Sequence, residues 1–63
     1  MTKSTKHVEK YWFALGYFHK KTDCVEPPDV ATQEAYADYF KVDILKEYEL
    51  GIKSAEKDIE SGI

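Results

Sequence analysis

The chain has 63 residues, a formal net charge of −3 and nine lysines but no arginine, and aromatic residues make up 14% of it. That length has room for one domain, 1–63, whose folded form removes only about 60% of the unfolded chain's surface from water. Cys24 stands alone, which excludes an intrachain disulfide, and no run reaches the roughly 18 apolar residues of a membrane-spanning helix.

The first expected helix covers about residues 5–21. Val8, Tyr11, Trp12, Leu15 and Phe18 recur at the i, i+3, i+4, i+7 spacing that gathers side chains on one stripe. Ser4 or Thr5 can cap its start, and Lys20 and Lys21 suit the exposed carbonyls of its last turn. A loop over 22–30 follows, because Pro27 and Pro28 cannot continue a helix. Asp29 or Thr32 then offers a cap for a second helix over about 31–61, with the stripe Phe40, Ile44, Tyr48, Ile52, Ala55 and Ile59. At about 1.5 Å per residue the second helix would run roughly 45 Å against about 25 Å for the first.

The expected fold class is therefore all-α, an antiparallel helical hairpin with a short first and a long second helix. Folding about the loop would place Gly16 near Ala37, Trp12 near Lys41 and Val8 near Leu45. The far stripe of Tyr48, Ile52, Ala55 and Ile59 would then lack intrachain cover. A homodimer could supply that cover. The alternative is a three-helix mini-bundle broken near Val42, with Asp43 capping a third helix.

Little in the chain suggests catalysis. His7, His19, Asp23 and Cys24 have no zinc-type spacing, so neither a metal nor a cofactor is expected. Acidic neighbours Asp23 and Glu26 disfavour a thiolate at Cys24. Gly16, Gly51 and Gly62 are isolated and form no phosphate-binding loop, and a small helical body offers carboxylates little of the concavity that acid–base catalysis requires. A non-enzymatic protein is expected. The pattern of Lys3, Lys6, Glu9 and Lys10 is unlike a signal peptide, which favours the cytoplasm and no membrane partner.

Charge is unevenly placed. Over 1–21, five lysines against Glu9 give +4, and over 22–63, four lysines against eleven carboxylates give −7. Lys3, Lys6, His7 and Lys10, with Tyr11 and Trp12 to stack on bases, could form a nucleic-acid-binding arm. The small charge, its negative total and the missing arginine oppose that reading. Lysines interspersed among the carboxylates of the second helix likewise dilute any imitation of a phosphate backbone.

Phe13 and Tyr17 stand off the first stripe, one turn apart, and Tyr39, Val42 and Leu50 stand off the second beside Asp43. Exposed aromatic and apolar side chains of this kind mark protein interfaces. The candidate partner-binding residues are thus Phe13, Tyr17, Tyr39, Val42, Asp43 and Leu50, joined by the uncovered Tyr48, Ile52 and Ile59. A protein-binding module is the leading expectation, and a structural subunit of a larger assembly is a further alternative.

Two segments share one pattern: Phe13-Ala14-Leu15-Gly16-Tyr17 and Tyr48-Glu49-Leu50-Gly51-Ile52 each read aromatic, any residue, Leu, Gly, large apolar. With the acidic loop between them and the run Tyr48, Gly51, Ala55, Asp58, the chain resembles short helical-hairpin accessory proteins of tailed bacteriophages. It departs from them in having no second glycine after Tyr17 and in carrying Lys20-Lys21 where arginine is usual. The resemblance implies a viral factor acting in the host cytoplasm, one that binds and modulates or inhibits a host protein such as RNA polymerase, a nuclease or a defence complex.

Overall fold

The computed structural model describes residues 5–62, and among them there are three helices and no strand: α1 (Lys6–Lys21), α2 (Val30–Phe40) and α3 (Ile44–Glu60). Thr5 holds the N-cap position of α1 through its carbonyl, which accepts from the N–H groups of Val8 and Glu9; its side chain makes no capping bond. Ser4, the other expected cap, lies outside the described residues. At the far end the Thr22 hydroxyl donates to the Phe18 carbonyl at 2.9 Å, and Asp23 turns the chain out with φ 58°. Asp29 then caps α2, accepting from the Thr32 N–H at 3.0 Å. Bonds from the Thr32 hydroxyl and amide hold the Asp29 carboxyl below its ordinary pKa.

The long second helix expected over 31–61 is divided in two. Lys41 adopts a left-handed backbone with φ 60°, and Asp43 caps α3 by accepting from the Lys46 N–H at 3.2 Å. A left-handed non-glycine residue costs about 1 kcal/mol. Two gains offset it. The cap contributes roughly 1 kcal/mol, and the break turns Val42 into the core beside Val8 and Ile44, where burying a side chain of that size contributes about 1.5 kcal/mol or more. In an unbroken helix Val42 would have stood off the apolar stripe. The break lies where the alternative reading placed it.

The direction of the elements follows from their contacts. Val8 clusters with Val42 and Ile44 at one end, while Tyr17 bonds Asp58 and Lys20 pairs with Glu56 at 3.6 Å at the other. Helices α1 and α3 therefore run the same way, packed along their lengths. Helix α2 runs against both, with the Tyr36 ring on Trp12 and the Phe40 ring on His7. The expected hairpin sense thus holds between α1 and α2, whereas α3 returns alongside α1. This return corrects the expected shortage of cover, because a 16-residue α1 and a 17-residue α3 are matched in length. Tyr48 and Ala55 are fully buried and Ile52 is half-buried; of the far stripe, Ile59 stays exposed.

Glycine sets the distance between the paired helices. A Cβ at Gly16 would run into the backbone carbonyl of Tyr48, and one at Gly51 into the carbonyl of Phe13. Each glycine costs its helix about 1 kcal/mol relative to alanine, and in return the two backbones touch. These are the glycines of the two aromatic-x-Leu-Gly segments. The repeated pattern marks the crossing.

The crossing also explains a difference from the expected core. Buried positions of α1 are Val8, Trp12 and Gly16, spaced i, i+4, i+8. Tyr11 and Phe18, expected on the stripe, are 58% and 63% exposed, because α1 is rotated to present Gly16 rather than its bulkier side chains to α3.

Candidate functional site

The α1/α3 pair has two sides, and α2 with the 22–29 loop covers one of them. There Trp12 lies edge-on to Tyr36 (centroids 5.6 Å apart, 83°) and Tyr36 stacks on Phe40 (5.6 Å, 26°). Beneath them the Tyr48 hydroxyl accepts the Glu26 N–H at 2.8 Å and lies 2.7 Å from Nδ1 of His19. One buried side chain thereby ties α1, the loop and α3 together. The indole N–H of Trp12 is buried with no hydrogen-bond partner among the described residues, and no residue of α2 is fully buried. A cleft of about 380 Å³ lined by His7, Val8, Tyr11, Trp12, Tyr36 and Phe40 opens between α1 and α2.

Among the described residues, no element packs over the other side. At about 100° per residue, Lys6, Lys10, Phe13 and Tyr17 fall within about 60° of one another on α1, and Lys46, Leu50 and Lys57 within about 40° on α3. Two contacts fix which flanks adjoin. Tyr17 donates its phenolic proton to Asp58, and a cleft of about 470 Å³ is lined by Lys6, Glu9, Lys10, Phe13 and Ala14 from α1 and Glu47 from α3. Leu50 stands one turn beyond Glu47 on the same edge of α3. Phe13 is 37% and Leu50 40% exposed. The bond to Asp58 holds the Tyr17 phenol above its ordinary pKa of 10.0, with burial and the Asp58 charge acting the same way. Lys21 places its ammonium 5.7 Å from the centroid of the Tyr17 ring.

The sequence-derived interface residues do not form one surface. Phe13, Tyr17 and Leu50 come together on the open side. Tyr39 is exposed on α2, Asp43 is exposed and occupied as the cap of α3, and Ile52 and Ile59 lie on the flank of α3 turned away from Phe13. Val42 and Tyr48 are buried and belong to the core. Lys46 and Lys57 of α3 share the flank of Leu50 by their spacing from it and are exposed.

Among the described residues, no group of three or more His, Cys, Asp or Glu could hold a metal ion. Cys24 is exposed, with its sulfur 3.0 Å from the Thr22 hydroxyl. Among the described residues, no helix is long and apolar enough to cross a membrane. No family model matches the chain, and no curated protein or solved structure matches it either.

Proposed function

We propose that the chain is a small, non-enzymatic protein-binding module that docks its partner on the open side of the α1/α3 pair, over Phe13, Tyr17 and Leu50. The observation that supports this most strongly is the glycine crossing. Backbone contact at Gly16 and Gly51 already closes the seam between the helices, so the core has no need of Phe13 and Leu50, which stay accessible beside it. Large apolar side chains adjoining a rigid backbone lose little freedom on binding, and such anchors dominate interface energetics. Following the resemblance to phage accessory proteins, the partner is a host protein whose surface the module occludes.

Capture from a bacterial lysate tests the reading. The tagged chain and its Phe13→Ser/Leu50→Ser variant are compared by quantitative mass spectrometry, with circular dichroism as a check on folding. A protein held by the native chain and lost from an equally helical variant supports the proposal. Identical captured sets, or collapse of helicity in the variant, overturn it.

A further inference from the structure

Resting on the protein-binding reading, we infer that the open side takes an acidic amphipathic helical segment of its partner. The charge around the apolar centre points there. Exposed Lys6 and Lys10 of α1 and exposed Lys46 and Lys57 of α3 stand outermost on the flanks that carry Phe13 and Leu50. The carboxylates of this side, Glu9, Glu47 and Asp58, are half-buried between the helices, and Asp58 is engaged by Tyr17. An approaching segment meets the ammonium groups first. The other flank of α3 differs, since Glu49, Glu56 and Glu60 lie together there and Lys20 is drawn to Glu56. Complementary charge steers docking and rejects partners of the wrong sign.

The chain itself supplies a comparable occupant. Helix α2 lies against the covered side through Tyr36 and Phe40, carries Glu34 and Asp38, and contains no lysine or arginine. A partner helix of similar make-up, with aromatic or aliphatic anchors at i, i+4 and carboxylates beside them, would occupy the opposite side in the same manner. Nucleic acid is less suited to it. The centre is apolar and arginine is missing.

The test is a titration of the full chain followed by amide chemical shifts. Four probes are used: a synthetic acidic amphipathic helical peptide, the same peptide with lysine for every glutamate, the acidic peptide with serine for its apolar residues, and an oligothymidylate. The expected result is that the first probe shifts the amides of Phe13, Tyr17 and Leu50 and binds at least about tenfold more tightly than the others. Lys6→Gln/Lys10→Gln, both exposed and remote from the core, should weaken it about three- to tenfold. Equal binding of the acidic and basic amphipathic peptides at this side would overturn the charge inference and leave the docking surface standing. Preferential binding of the oligothymidylate, shifts confined to Trp12 and Tyr36, or no shift with any probe would each overturn the inference. The capture experiment judges the broader reading separately.

Discussion

The two sides of the α1/α3 pair are built from similar residues and meet opposite fates. Trp12 and Tyr48 on one side are layered under Tyr36 of α2 and the loop. Phe13, Tyr17 and Leu50 on the other have lysines around them, and no helix among the described residues lies over them. The difference lies in what each side contributes to stability. Hydrogen bonding through Tyr48 and the docking of α2 need the first side, while the glycine crossing closes the seam without help from the second.

Substituting the crossing should break both sides at once. Gly16→Ala or Gly51→Ala sets a methyl group against backbone that has no room to yield, at a cost of about 3 kcal/mol or more. In a domain whose total stability is of order 5 kcal/mol, either variant should melt roughly 12–24 °C lower than the native chain in a thermal melt followed by circular dichroism. Tyr48→Phe acts on the covered side alone. It leaves the Glu26 N–H and His19 Nδ1 without their partner, and a loss of about 1–3 kcal/mol is expected from chemical denaturation.

Phe13→Ser/Leu50→Ser acts on the open side, where truncating two partly exposed residues should lower stability by about 2 kcal/mol while abolishing partner capture. The smallest effect is expected from pH. Because the folded state raises the Tyr17 pKa above 10.0, its contribution is intact below that pH and is lost as pH rises through the folded value. Alkaline titration of the melting temperature should therefore fall more steeply for the native chain than for Tyr17→Phe.

The helices themselves were legible because bulky residues recur at helical spacing and because Pro27, Pro28 and Asp29 punctuate the chain. Reading one long second helix followed from the unbroken stripe of Phe40, Ile44 and Tyr48. Asp43 gave the opposing signal, and the decision turned on Val42, whose burial is a tertiary gain that periodicity does not register. The direction of α3 was hidden for the same reason. Seeking the core by size drew Tyr11 and Phe18 into it, whereas its centre on α1 is marked by the smallest residue, Gly16. The repeated aromatic-x-Leu-Gly pattern carried that information, since two glycines in two helices are what a backbone-to-backbone crossing requires. The partial exposure of Phe13 and Leu50 follows from their position off the stripes. Val42 and Tyr48 were misplaced because their burial depends on the break and on the return of α3.

Solvent accessibility of individual side chains tests the contrast between the sides most directly. With a soluble paramagnetic additive in dilute solution, the ring signals of Phe13 and the methyl signals of Leu50 should broaden strongly, while those of Tyr48 and Ile44 stay sharp. Equal protection of all four would contradict the account, since Phe13 and Leu50 would then be core residues and the chain would have no open side.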